Sequence, residues 1–230
     1  LFKWFGSKWG ASKHYPWPRC ETIFEPFAGS AGYSLRHHEY KIVIYETDKH
    51  LKKLCPWLIQ VLPDDIRDIP IDFPVGYDIR KSGLSKGQQL LLKHWQRTNN
   101  VGDCWSISPW GNKPGQWTAN TRARVAEESQ EIKHWVFAEI FYDEIGTYFI
   151  DPPYQYNYSY SCYFFDYEKL VKNLNCLKSP SQIIACEASC PKTGIKPEYL
   201  PFKFSHSQVT SRRKKTENHH SNELIYTINL

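Results

Sequence analysis

Short apolar runs and amphipathic stretches alternate at the start of this chain, lapse in its middle and resume towards its end. Thr22-Ile23-Phe24 and Lys41-Ile42-Val43-Ile44-Tyr45 have the β-branched and aromatic character of buried strands. The small-residue turn Ala28–Gly32 and the helical start Tyr33-Ser34-Leu35-Arg36 lie between them. His50–Leu62 is helical in composition, and Pro56 is expected to kink or divide it. Pro63-Asp64-Asp65-Ile66 then falls where a third strand would deliver polar groups. From Pro70 to Tyr142 the rhythm lapses: a short helix at Lys86–Arg97, a loop-rich piece at Asn99–Trp117 and a helix at Thr121–Ile140. The strand Tyr148-Phe149-Ile150 restores it. After it come a tyrosine-rich loop over 155–165, a helix at Asp166–Leu177 and a buried strand Gln182–Cys186. Phe202–Ser211 and Glu223–Leu230 close the chain as an antiparallel pair.

This pattern predicts an α/β fold, a doubly wound and mostly parallel sheet with a C-terminal antiparallel hairpin. A smaller, mainly helical subdomain is inserted into it. The expected division is 1–69 with 143–230 as the main domain and 70–142 as the insert.

The strand at Tyr148 ends in Asp151-Pro152-Pro153-Tyr154. Two prolines remove backbone donors and stop the strand, so its last carbonyls lack ladder partners. A carboxylate, free carbonyls and an aromatic face then stand together. That set can accept hydrogen bonds from an exocyclic amino group while the tyrosine stacks on the ring that bears it. A strand-ending turn with a packed tyrosine would look the same, so the tetrapeptide alone decides nothing. In the turn after the first strand, Gly29 and Gly32 allow backbone to approach a ligand closely. Glu46 ends the second strand where nucleotide-binding folds place a ribose-binding acid, although Asp48 is the better helix cap.

Charge sharpens the picture. The chain carries a formal +5, but Arg80–Arg124 holds eight Lys and Arg against one acid, Asp103, which leaves the remainder slightly acidic. The cations there include Lys86, Lys93, Arg97, Lys113, Arg122 and Arg124. Trp105, Trp110 and Trp117 stand among them, either as a small core or as stacking groups. A second run, Arg212-Arg213-Lys214-Lys215, lies between the last two strands. Both are candidate contacts to a phosphate backbone, with a solvated basic face the alternative for each.

The seven cysteines are scattered and form no Cys-x-x-Cys, and no four-ligand zinc pattern appears, so no metal is expected. No run approaches the length of a membrane span and no secretory signal is visible, and the scattered thiols make the cytoplasm the expected setting. The chain begins at Leu1 and contains no methionine, as a piece of a longer protein would.

Three motifs stand in one order: Lys3-Trp4-x-Gly6-x-Lys8, then Phe24-Glu25-Pro26-Phe27-Ala28-Gly29-Ser30-Ala31-Gly32, then Asp151-Pro152-Pro153-Tyr154. As a set, with an irregular basic insert between the second and third, they resemble the Dam-like group of adenine-N6 DNA methyltransferases, which have a Rossmann-like fold and use S-adenosylmethionine; the resemblance implies double-stranded DNA as partner and the cytoplasm of a bacterial or phage-infected cell as setting. The resemblance implies that Trp4, Lys8 and the turn Phe27–Gly32, with Ala28, Gly29 and Ser30, hold the methionyl end of the cofactor. It further implies that Glu46 binds the ribose, that Asp65 and Ile66 border the adenine ring, and that Asp151 also meets the cofactor. Asp151 and the Pro152 carbonyl would take the target amino group, Pro153 would follow them in the motif, and Tyr154 would stack on the flipped base. Two departures stand out: Gly6-Ser7 where the group often has Gly-Gly, and Glu46 where it often has aspartate. N4-cytosine methylation, methylation of RNA or a protein amide, and a silent binding module remain alternatives. The C5-cytosine chemistry is rejected, because the cysteine–proline pairs here are Cys55-Pro56 and Cys190-Pro191, in the wrong order for its nucleophile.

Overall fold

The structure, a computed structural model, describes residues 1–4, 7–96, 105–109, 116–139, 144–152, 176, 181–188, 205–210 and 222–229. The expected tyrosine-rich loop at 155–165 and the helix at Asp166–Leu177 (Cys176 apart) lie outside the described residues, as do Pro153, Tyr154, Trp110, Arg97, Lys113 and Arg212–Lys215.

The described elements run β1 (Thr22–Glu25), α1 (Gly32–Arg36), β2 (Lys41–Tyr45), α2 (Leu51–Gln60), α3 (Pro63–Arg67), α4 (Lys86–Trp95), α5 (Ala119–Glu131), β3 (Val136–Ala138), β4 (Thr147–Ile150), β5 (Gln182–Ala188), β6 (Ser205–Thr210) and β7 (Asn222–Asn229). They form a sheet of order β3-β2-β1-β4-β5-β7-β6. β1 pairs parallel with β2 and β4, and β4 pairs parallel with β5. β7 is antiparallel both to β5 and to β6. The chain runs outward from β1 to β2, then returns to lay β4 on β1's other side. The strand order therefore reverses between β1 and β4, and in open α/β sheets ligands collect at the carboxyl ends of such strands.

The chain divides into two compact units, one of Leu1–Ser7 with Glu46–Phe137 and the other of Lys8–Tyr45 with Ala138–Leu230. This division assigns 46–69 to the unit that holds α4 and α5, whereas the sequence pattern grouped them with the sheet. No helix of the described residues is long and apolar enough to cross a membrane.

In the sheet unit, β4 is buried throughout, which suits its unbroken Thr-Tyr-Phe-Ile run. Phe24 stacks on Tyr148 at 4.8 Å, and Tyr33 of α1 stacks nearly parallel on Phe149 at 4.4 Å. Thr147, at the opposite end of β4 from Asp151, ties down the segment entering β1. Its Oγ1 accepts the backbone N–H groups of Arg19 (3.1 Å) and Cys20 (3.2 Å) and donates to Gln182 Oε1 at 2.9 Å.

In the other unit the apolar stripe Leu51, Leu54, Cys55 and Leu58 buries one side of α2. Pro56 rides inside this helix without dividing it, because the stripe holds both halves to one interior. Pro63–Ile66 is a helical turn rather than the expected strand. Proline occupies its first turn with Asp64 and Asp65 behind it, which favours a helix start, and Asp65 Oδ2 accepts the Leu62 N–H at 3.3 Å. α5 is shorter than the expected Thr121–Ile140. It starts at a Thr118 cap, which accepts the Thr121 N–H, and gives way to β3, where Val136-Phe137-Ala138 is extended. Trp105 and Trp117 are buried here, and Trp117 Nε1 donates to the Pro70 carbonyl at 3.0 Å. Both serve as core, which the sequence left open.

Replacing Thr147 by valine keeps the shape of β4 but removes the Oγ1 that accepts the Cys20 N–H and shares the Arg19 N–H with Gln182 Oε1. Urea unfolding of Thr147→Val is expected to show a loss of about 1–3 kcal/mol with an unchanged m-value.

Candidate active site

Four sequence-distant pieces meet in the sheet unit, and a missing side chain is what permits it. Gly32 opens α1, and a Cβ built there would stand 2.4 Å from the Trp9 nitrogen and 2.9 Å from the Lys8 carbonyl carbon. The backbone of Lys8–Trp9 therefore lies directly against the start of α1. The segment is held there by several bonds. The Lys8 carbonyl accepts from the Ala11 and Ser12 N–H groups. Arg36 donates to Ser12 Oγ at 2.8 Å and to the Trp9 carbonyl at 3.1 Å, and the Tyr33 hydroxyl donates to the Pro16 carbonyl at 2.8 Å.

The turn itself departs from ordinary backbone. Gly29 has φ 50°, and Ala31 is left-handed at φ 51°, ψ 47°, a conformation that costs a residue with a Cβ about 1–2 kcal/mol. The Ala28 N–H is tied to the Tyr45 carbonyl at the end of β2. Ala28, Gly29, Ser30 and Gly32 are buried, and Phe27 is half-buried.

The Lys8 ammonium lies 3.0 Å from Asp151 Oδ1, with side-chain exposures of 9% and 17%. Asp151 directly follows β4, and Pro152 behind it is buried. Beside Asp151, at the end of β1, Glu25 is fully buried. Burial pushes its carboxyl up to about 8, with the negative field of Asp151 adding to the rise; hydrogen bonds from Ser34 and Tyr33 of α1 oppose it. The Ser34 N–H reaches Glu25 Oε2 at 2.9 Å. Three ionisable groups (Lys8, Glu25 and Asp151) thus gather at the carboxyl ends of β1 and β4, where the strand order reverses.

Lys8, Ala28–Gly32, Asp151 and Pro152 are the expected site residues that the sheet unit brings together. Glu25 was not among the candidates. The signal for it was an acid closing an otherwise apolar strand, since such a residue must be satisfied from outside the ladder.

Trp4, Glu46, Asp65 and Ile66 belong to the other unit. Trp4 packs on His94 at 5.6 Å. Glu46 Oε1 accepts the N–H groups of Thr47 (2.6 Å) and Asp48 (3.0 Å), while Asp48 takes the first N–H groups of α2. Asp65 is exposed and Ile66 is completely buried.

The described basic candidates divide. Lys93 is 4% exposed, with Nζ 2.8 Å from His50 Nδ1 and over the Trp105 ring. It is held inside its unit, which corrects the expectation of a phosphate contact. Lys86 is exposed, with its ammonium 4.1 Å from the centre of the Trp105 ring. Arg122 donates to the Ile69 carbonyl at 2.9 Å, and Arg124 pairs with Glu128 at 2.6 Å.

No family model matches the chain, and no curated protein does. One solved structure that matches is described as a "putative Methyltransferase from Pseudomonas syringae"; the match covers 99% of this chain and 100% of that one, at 12% identity and a TM-score of 0.41. So distant a likeness leaves the reading of the site to its own chemistry.

Folding raises the proton affinity of Glu25 above its ordinary value of 4.5. Its contribution to stability is therefore complete below pH 4.5 and is lost as pH rises towards about 8. Within that window the slope approaches about 1.4 kcal/mol per pH unit. Glu25→Gln keeps an oxygen for the Ser34 N–H and abolishes the titration. Unfolding free energies measured across the window should fall less steeply with pH for the variant, and parallel curves would show that Glu25 does not hold its proton.

Proposed function

We propose that this chain is an S-adenosylmethionine-dependent methyltransferase acting on exocyclic amino groups, with N6 of adenine in DNA as its target. The observation that carries the reading is the Asp151 carboxylate at the carboxyl end of β4, with the Lys8 ammonium 3.0 Å away, one strand from the left-handed turn after β1. The ordered motifs around Lys8, Gly29 and Asp151 support it, as does the reversal of strand order between β1 and β4.

The donor set suits the cofactor. Its methionyl end is a zwitterion, and Lys8 offers a cation to the carboxylate beside a turn whose Gly29 lacks a side chain. When bound, the group supplies an electrophilic methyl on a sulfonium. The roles that the resemblance assigns to Trp4, Glu46, Asp65 and Ile66 remain part of the proposal.

An amine acceptor needs no covalent enzyme intermediate. It needs its planar NH2 held by the hydrogens so that the nitrogen presents its lone pair in line. Asp151 Oδ accepts one N–H, and the Pro152 carbonyl, freed by the proline that follows, accepts the other. Lys8 stands 3.0 Å from the Asp151 carboxylate, whose oxygens are the acceptors. Tyr154 stacks on the base, and the few kcal/mol spent in flipping are offset by this stacking and by the pocket's hydrogen bonds.

Purified protein incubated with methyl-labelled cofactor and unmethylated DNA is expected to place the label in N6-methyladenine after hydrolysis to nucleosides. Label confined to cytosine, RNA or protein would overturn the choice of substrate. Asp151→Ala should lower transfer by roughly a hundredfold or more while leaving cofactor binding by calorimetry largely in place. Retained turnover would remove Asp151 from the reaction.

A further inference from the structure

Between Lys8 and Cys20 the sheet unit carries a strip that the proposed reaction does not use. It contains Lys13, His14 and Arg19, all exposed, and no acid before Glu21. Two tryptophans on it face solvent, Trp9 at 51% and Trp17 at 70% exposure. Indoles are usually buried or shielded, so two left open within nine residues need a reason.

Neither ring hangs loose. The Arg36 guanidinium lies 4.8 Å from the centre of the Trp9 ring and is fixed by its bonds to Ser12 Oγ and the Trp9 carbonyl. Trp17 meets His37 edge-on at 4.9 Å, and its carbonyl accepts from Gln182 Nε2 at 3.2 Å. The two adjacent residues Arg36 and His37 at the end of α1 thus steady both rings. At one end, Lys8 touches Asp151. At the other, Arg19 is bonded through its N–H to Thr147, at the start of β4. The strip therefore leads away from the candidate site along the whole length of β4.

Fixed aromatic faces interleaved with cations suit an unpaired nucleic-acid strand. Every base offers a π-face to an indole, and phosphates between bases meet Lys and Arg. A lipid surface would ask for a broader apolar face, and an acidic peptide would leave the indoles without flat partners. We propose that the strip from Trp9 to Arg19 binds an unpaired strand of the nucleic-acid substrate beside the target base. Its bases stack on Trp9 and Trp17, and its phosphates meet Lys13, His14 and Arg19. The inference rests on the nucleic-acid part of the function proposed above and not on methyl transfer.

Fluorescence anisotropy with an end-labelled mixed-sequence oligodeoxynucleotide, single-stranded or annealed to its complement, tests this without cofactor. Trp9→Ala/Trp17→Ala should weaken single-strand binding roughly tenfold or more and duplex binding far less. Lys13→Glu/Arg19→Glu should make the salt dependence shallower by about 1–2 in log–log slope. All four side chains are at the surface, and circular dichroism checks that the variants fold. Unchanged single-strand affinity and salt slope would overturn the proposal, and so would an equal loss on duplex and single strand, which would reduce the strip to phosphate contacts. Strip-dependent binding by a protein that methylates no DNA would uphold this inference while removing the catalytic reading. DNA methylation with a strip that does not matter would do the opposite.

Discussion

The sheet unit depends on the absence of one carbon atom. With any side chain at Gly32, the Cβ would occupy the space of the Trp9 nitrogen, and the Lys8–Trp9 backbone could not rest on the start of α1. Much else follows from that approach. It brings the Lys8 ammonium to Asp151, seats Trp9 under Arg36, and lets Tyr33 lie between the Pro16 carbonyl and the face of Phe149. The contact is backbone against backbone, so no change of rotamer could relieve a substitution there.

The charges at the carboxyl ends of β1 and β4 make sense only as a group. Two carboxyls and one ammonium gather in a largely dry place, and a full set of charges would be costly. The arrangement gives them different tasks. Asp151 has the Lys8 ammonium 3.0 Å away and offers its oxygens as hydrogen-bond acceptors. Glu25 is fully buried against Ser34 and Tyr33 of α1, and burial pushes its carboxyl up to about 8. A neutral Glu25 adds little repulsion to Asp151 and still accepts from Ser34. Two carboxyls on neighbouring strands thus meet different surroundings, a cation beside Asp151 and full burial around Glu25.

How much of this was legible in the sequence varied with the physics of each segment. β1, β2, β4 and β5 could be read because strands covered on both faces are continuous apolar runs, and a helical pattern cannot imitate them over four or five residues flanked by turns. Asp151 and the glycine turn could be read because proline and glycine act through the backbone and need no partner to be known. Pro63–Ile66 misled because an expected strand position outweighed local signals: proline at a helix start and two acids in the first turn. The end of α5 misled because Trp135 and Val136 fit a helical stripe as well as a strand, and only pairing decides between them. Glu25 was missed because an acid closing an apolar strand signals only that it must be satisfied, whereas its partners on α1 are a tertiary fact.

The cations show why a charge tally in sequence is a weak guide to a surface. The run from Arg80 to Arg124 carries a formal +7, yet Lys93 is spent inside on His50 and Trp105 and Arg122 on a carbonyl, while Arg124 is paired at the surface with Glu128. Long side chains with many donors are well suited to such internal work, because they satisfy buried acceptors that shorter residues cannot reach. The segment Lys8–Cys20 has fewer cations, but apart from Lys8 each is exposed, and the aromatic rings beside them are turned outward as well. What makes a surface able to bind a polyanion is the charge that folding leaves unspent.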